Sequence, residues 1–239
     1  MCPYKRLSTV ARMGEKVTFA SNGDIAEGYL AAPDAGGPGV IVIQEWWGLV
    51  PHIMDVADRF AAAGFTALAA DLYHGQTATE PDGAGKLMMA LNLDRAAKDL
   101  SGAIELLQQR TGNDKIGVVG FCMGGGLALW LATRRPDAIA AAAPYYGLIP
   151  WESAQPDWSA LSAKVVGEYG ENDDYFGPDA ARAFEAQLRG LGKDATLHIH
   201  EGCGHAFFND TRPEAYDAEH AAEAFDRTIS LFSEVLTAS

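Results

Sequence analysis

The chain has 239 residues, 48% of them hydrophobic, with 18 Lys and Arg against 32 Asp and Glu and a formal net charge of -14. That length fits one α/β domain with a full core, and the acidic balance argues against nucleic acid or an anionic membrane surface as a partner, since either calls for a basic patch. The cysteines Cys2, Cys122 and Cys203 are widely spaced and form no C-x-x-C pair, so neither a disulfide framework nor a thiol-disulfide motif is expected. No apolar run follows the first charged residues, and none approaches the length of a membrane span. The expected setting is cytoplasmic and reducing, which suits a working thiol, and the expected state is a monomer or homodimer.

Val17 to Phe19 and Ala26 to Ala31 are expected as two opening strands. Asn22-Gly23 between them supplies the left-handed backbone that a tight hairpin requires. Gly39 to Ile43 is apolar throughout, as a strand covered on both faces must be. A helix over Val50 to Ala63 ends at Gly64, and Phe65 to Ala70 is the next buried strand. The helix Asp94 to Arg110 carries Leu100, Ala103, Ile104 and Leu107 on one stripe. Ile116 to Val119 is a strand, followed by a glycine-punctuated turn and a helix from Met123 to Thr133. Ile139 to Ala143, Lys164 to Tyr169 and Ala195 to His200 are the last strands. Between the final two lies the helix Pro178 to Arg189, which buries Ala181, Phe184 and Leu188. Phe225, Ile229, Phe232 and Leu236 mark the stripe of the closing helix. Strands alternating with helices predict a single α/β domain, 1–239, with a mostly parallel sheet covered on both faces. Right-handed crossovers then put the functional loops at the carboxyl ends of the strands.

Residues 120 to 125 read Gly-Phe-Cys-Met-Gly-Gly between a strand and a helix. This is G-x-C-x-G, a cysteine version of the G-x-S-x-G nucleophile elbow of α/β-hydrolases. Gly120 and Gly124 stand where side chains would collide with neighbouring strands or with the helix. The turn exposes the sulfur of Cys122 at a helix N-terminus, whose partial positive charge favours a thiolate. The N–H of Met123 becomes one oxyanion donor. The competing account is a structural cysteine in a packing turn. It is weakened by the strand before and the helix after.

An α/β-hydrolase orders its triad along the chain as nucleophile, acid and histidine. After Cys122, the strand Lys164 to Tyr169 runs into Gly170-Glu171-Asn172-Asp173-Asp174-Tyr175. Ala195 to His200 runs into Glu201-Gly202-Cys203-Gly204-His205. His205 can take the thiol proton, while a carboxylate on its other nitrogen fixes the tautomer. Among the loop acids Asp173 is the first choice and Asp174 the second. His198 and His200 share one side of a strand, but no third ligand stands at a sensible spacing, so no metal is expected there. Cys203 reads as a small packing residue near the site.

From Val17 to Leu236 the sequence resembles the dienelactone hydrolases. The carrying segments are Gln44-Glu45-Trp46-Trp47-Gly48, Asp71-Leu72-Tyr73, Gly120-Phe121-Cys122-Met123-Gly124-Gly125, Gly170-Glu171-Asn172-Asp173 and Gly204-His205-Ala206-Phe207. The resemblance implies a Cys122-His205-Asp173 triad on an α/β-hydrolase fold that hydrolyses lactones or esters without a cofactor. It singles out Asp173 over Asp174. It also implies that Glu45 hydrogen-bonds the resting thiol until substrate displaces it, and that the Trp46 N–H is the second oxyanion donor. In the family, one arginine two positions after the tyrosine of D-L-Y and another four positions after the histidine hold the substrate carboxylate. Here those positions are Gly75 and Asn209, and Arg212 stands at neither. The expected substrate is therefore a neutral or aromatic small-molecule ester or lactone, in a pocket of Trp46, Trp47, Tyr145, Phe207 and Phe208. A thiolate beside an oxyanion hole could also attack activated phosphotriesters. The alternatives are a redox thiol protein, a metal-dependent hydrolase and a non-catalytic binding protein on the same fold.

Overall fold

A computed structural model describes residues 14–149, 151 and 154–237; Cys2 and the charged opening residues lie outside this range. Strands β1 (Glu15–Ser21) and β2 (Asp24–Ala31) form the expected hairpin. Asn22 and Gly23 in its turn both have positive φ, 44° and 96°, which matches the right-handed twist of the paired strands. β3 (Gly39–Ile43), β4 (Thr66–Ala70) and β5 (Ile116–Phe121) are buried at every residue. β6 (Ile139–Tyr145), β7 (Lys164–Gly170) and β8 (Ala195–His200) complete an eight-stranded sheet of order β1-β2-β4-β3-β5-β6-β7-β8. β2 meets β4 antiparallel; from β4 to β8 every pairing is parallel.

The period of two along each strand divides the core into two layers. Ile41, Ile43, Leu68 and Ala70 face one layer, and Val40, Val42, Ala67 and Ala69 face the other. The first layer is closed by α3 (Leu93–Thr111), α4 (Met123–Arg134) and α5 (Pro178–Gly190). The second is closed by α1 (Pro51–Ala62) and α6 (Ala218–Leu236). Each fully buried Ile, Val or Phe in these layers stabilises the fold by roughly 1.5–3 kcal/mol before entropy is counted.

Local chemistry sets the helix ends close to the expected bounds. Pro51 opens α1 at a position that needs no N–H, and Gly64 follows that helix with φ 98°. The side chain of Asn92 accepts the N–H of Arg95 at 2.9 Å and starts α3, while Gly112 ends it in the left-handed region. One helix, α2 (Pro81–Ala90), has no counterpart among the sequence-derived elements. It contains two glycines and buries only Ala84, so it shows no apolar stripe to read.

The carboxyl ends of β3, β5, β6, β7 and β8 lie side by side, and each runs into a loop with polar or aromatic residues. α3 must lie close against β1 for this sheet to stay covered. A Cβ added at Gly102 would stand 2.0 Å from the Ala20 carbonyl oxygen. Gly102→Ala is therefore expected to destabilise the protein by about 1–3 kcal/mol in urea unfolding, despite the better helix propensity of alanine. An unchanged or higher midpoint would show that the α3–β1 spacing is not a constraint.

Candidate active site

β5 delivers Cys122 at its carboxyl end. Cys122 has φ 55° and ψ -119°, a strained backbone for a residue with a side chain. Its N–H donates to the Tyr145 carbonyl at 3.0 Å, and its carbonyl accepts the Gly125 N–H at 2.9 Å. The glycines do what the motif requires. A Cβ at Gly120 would lie 1.9 Å from the Gly124 carbonyl oxygen, and one at Gly124 would lie 2.4 Å from the Ile43 carbonyl oxygen. Met123 is the first residue of α4, so its N–H belongs to the helix-end donors that no intrahelical carbonyl satisfies.

The β7 loop brings Asp173 to the β8 loop. His205 Nδ1 and Asp173 Oδ2 are 2.8 Å apart. Asp173 Oδ1 accepts the N–H groups of Tyr175 and Phe176 at 2.8 and 3.1 Å. Burial alone would raise the Asp173 carboxyl. The hydrogen bond and charge of His205, with those two amides, outweigh burial and hold it below the ordinary carboxylate range. Asp174 is exposed, so the geometry separates the two candidate acids. For His205, burial opposes the charged ring, but hydrogen bonds to Asp173 and Cys122 and their negative charges raise it to about 10. Cys203 differs: burial first, then the charge of Asp217, pushes its thiol up to about 11.

Glu45 follows β3 and is 1% exposed. Asn209 Nδ2 donates to its Oε2 at 2.8 Å, and the Tyr146 hydroxyl reaches its Oε1 at 3.4 Å. The amide of Asn209 is oriented from behind, because Thr211 donates both its N–H (3.1 Å) and its hydroxyl (2.6 Å) to Oδ1. The position that resemblance assigns to an arginine thus carries a neutral donor to Glu45. The other such position, Gly75, sits at φ 86° in a turn closed by its N–H on Asp71 Oδ2 at 2.6 Å. Trp46 lies in the turn where Gly48 N–H donates to the Glu45 carbonyl at 3.3 Å. The Trp46 and Trp47 rings meet edge to face at 5.1 Å, and both are half-buried.

Three expected pocket residues are corrected by the structure. Tyr145, Phe207 and Phe208 are 0%, 0% and 1% exposed and lie in the layer under the site. The Tyr145 hydroxyl is 2.7 Å from Thr228 Oγ1, and its ring packs on Phe121 and Phe208. The residue that reaches the site is its neighbour Tyr146, at φ 35° and with its ring edge to face with His205 at 5.1 Å. A pair of tyrosines just past a strand end was the available signal; which of them turns inward is a matter of backbone strain, not composition. Tyr175 was also missed. It is 72% exposed, with its ring 5.0 Å from that of His205. His200 is held by Glu168 at 2.7 Å beside Arg227, so it serves a buried ion pair. A cleft of about 430 Å³ has Trp47, Val50, Pro81, Asn209, Thr211 and Arg212 on its walls. Arg212 already donates to Glu214 at 3.0 Å.

Comparisons with known proteins identify the family and the fold. The dienelactone hydrolase family matches residues 26–236. The chain is 36% identical over 233 residues to the protein usf of Aquifex pyrophilus, covering 94% of this chain and all of that one. Among solved structures it is similar to a Klebsiella pneumoniae protein assigned as a dienelactone hydrolase, with TM-score 0.84, 26% identity, and coverage of 92% of this chain and 98% of that one. A dienelactone hydrolase-like promiscuous phosphotriesterase from metagenomic libraries shares the fold at TM-score 0.80 and 24% identity, with 93% and 98% covered. No helix among the described residues is long and apolar enough to cross a membrane. With its mostly parallel sheet, this chain has the α/β-hydrolase fold and belongs to the dienelactone hydrolase family of hydrolases.

Proposed function

We propose that the protein is a cysteine-dependent hydrolase of neutral esters or lactones, with Cys122 as nucleophile, His205 as base and Asp173 as the acid that orients it. The observation that carries this reading is the 2.8 Å contact of His205 with Asp173 behind a cysteine held at φ 55° in an elbow turn. Cys122 Sγ attacks the acyl carbon with its proton held on His205. The N–H groups of Met123 and Trp46 hold the oxyanion. The leaving alkoxide takes the proton from His205, giving a thioester. Water, deprotonated by His205, then attacks the thioester, and Cys122 leaves. The Asp173 carboxylate stabilises the imidazolium formed in each half-reaction.

The neutral substrate class follows from Asn209. A substrate carboxylate placed there would meet an amide already committed to Glu45 and no cation at that position. Removing a carboxylate from water without a cation partner is unfavourable. Trp47 and the 430 Å³ cleft offer an apolar wall instead. An activated phosphotriester, the chemistry named for one structural neighbour, makes the same demand on a nucleophile and its donors.

Two measurements test this reading. Cys122→Ala is expected to lower kcat on a p-nitrophenyl ester by about three orders of magnitude or more, and Asp173→Asn by about two to four, with both variants folded by circular dichroism. Full activity in Cys122→Ala would remove the nucleophile assignment. In a panel of neutral lactones, aryl esters, an anionic dienelactone and a phosphotriester, kcat/KM for the neutral carboxylic substrates should exceed that for the anionic dienelactone by at least about tenfold, since each such factor is about 1.4 kcal/mol of transition-state discrimination. The reverse order would reject the neutral class.

A further inference from the structure

Cys203 takes no part in the chemistry above, yet it stands two positions before His205 and is 3% exposed. Its surroundings come from the start of α6. The Sγ of Cys203, a carboxylate oxygen of Asp217 and a ring nitrogen of His220 all lie within 4.8 Å of one another. Asp217 caps α6 by accepting the His220 N–H at 3.0 Å. The His220 Nδ1 lies 3.0 Å from the same carboxylate oxygen, Oδ1, yet is buried and has no hydrogen bond of acceptable geometry. Three lone-pair donors of different softness therefore converge, and the ring nitrogen and the carboxylate meet at 3.0 Å without good hydrogen-bond geometry. A shared cation satisfies all three.

We propose that Cys203, Asp217 and His220 bind a borderline-soft divalent cation of the zinc class. The thiolate and carboxylate together balance a charge of +2, and the imidazole binds as the neutral ring through Nδ1. The Cys203 thiol proton is released to solvent when the S–metal bond forms. Tetrahedral bonds run to about 2.0–2.3 Å, so the three side chains, whose donor atoms lie within 4.8 Å of one another, adjust around the ion. Water completes the coordination, because the Asp217 and His220 side chains are 44% and 28% exposed, which also gives the ion a way in. A donor set of S, N and O selects this class of ion over magnesium or calcium, which prefer all-oxygen sites.

The position gives the site a consequence. The Cys203 carbonyl accepts the N–H of Asn172, the residue before Asp173, at 2.8 Å. The Asp217 N–H donates to the Phe207 carbonyl, two residues past His205, at 2.9 Å. A bound ion would tie the loops of both Asp173 and His205 to the N-terminus of α6 by bonds stronger than these.

The test is cobalt(II) binding to the Cys122→Ala protein, which removes the other thiol near a histidine and makes the result independent of the proposed hydrolase activity. One Co²⁺ per chain by equilibrium dialysis is expected, with a thiolate-to-cobalt charge-transfer band in the near ultraviolet. The band should vanish when Cys203→Ser is added. His220→Gln, at a partly exposed position, should keep the band while weakening binding at least tenfold. The melting temperature of the Cys122→Ala protein should rise with Co²⁺ or Zn²⁺ and stay fixed with Mg²⁺. Absence of a charge-transfer band at millimolar Co²⁺, a band that survives Cys203→Ser, or affinity unchanged in His220→Gln would each overturn the site.

Discussion

One of the closest approaches in the site is the one between Gly120 and the carbonyl of Gly124, where a Cβ would lie at 1.9 Å. It lets β5 turn directly into α4, and that turn is what forces Cys122 to φ 55°. Strain of this kind costs about 1–3 kcal/mol and persists only when its surroundings over-determine it. Here the hydrogen bonds of Cys122 with Tyr145 and Gly125 do so, anchored on β5, a strand buried at every residue. The other elements of the site depend on this turn. Glu45 and Trp46 leave β3, whose last carbonyl touches Gly124, and Tyr146 leaves β6, whose preceding residue accepts the Cys122 N–H.

A second constraint is the burial of Glu45. A carboxyl group away from water must be met by hydrogen-bond partners, and here the closest is the neutral Asn209 amide. That pairing occupies the place where a cation would receive a substrate anion. Ground-state architecture and substrate class are thus linked through one amide, itself fixed by Thr211. Beneath it, Phe121, Tyr145 and Phe208 stack into a rigid aromatic floor. These rings support the site without lining it.

The loops that hold Asp173 and His205 are bound to each other and to α6 through Cys203. Its carbonyl serves the acid loop while its thiol faces Asp217 and His220. Precise placement of a base and its orienting acid needs support behind the loop, and this cysteine lies where that support is made. Just below, Glu168 of β7 and His200 of β8 meet Arg227 of α6 in a hydrogen-bonded ion-pair network that ties the strand ends to that helix.

Much of this was legible in the sequence, because the signals are local. The near-continuous apolar runs of β3 to β5 dictate burial on both faces, and Gly-Phe-Cys-Met-Gly can adopt its turn only because the glycines lack Cβ atoms. The order of Cys122, Asp173 and His205 follows from strands alternating with helices. α2 was not legible, since it fully buries Ala84 alone and carries no stripe. Nor was the choice between Tyr145 and Tyr146, which rests on the positive φ of one residue past the strand end. The pairing of Glu45 with Asn209 joins residues 164 positions apart, and the meeting of Cys203 with Asp217 and His220 needs the loop after β8 to fold back on the start of α6. By itself the sequence determined the sheet, its covering helices and the order of the reactive groups, through steric and hydrophobic rules that act within a few residues. Only tertiary structure decided which polar groups meet, because that depends on how distant loops converge at the carboxyl ends of neighbouring strands.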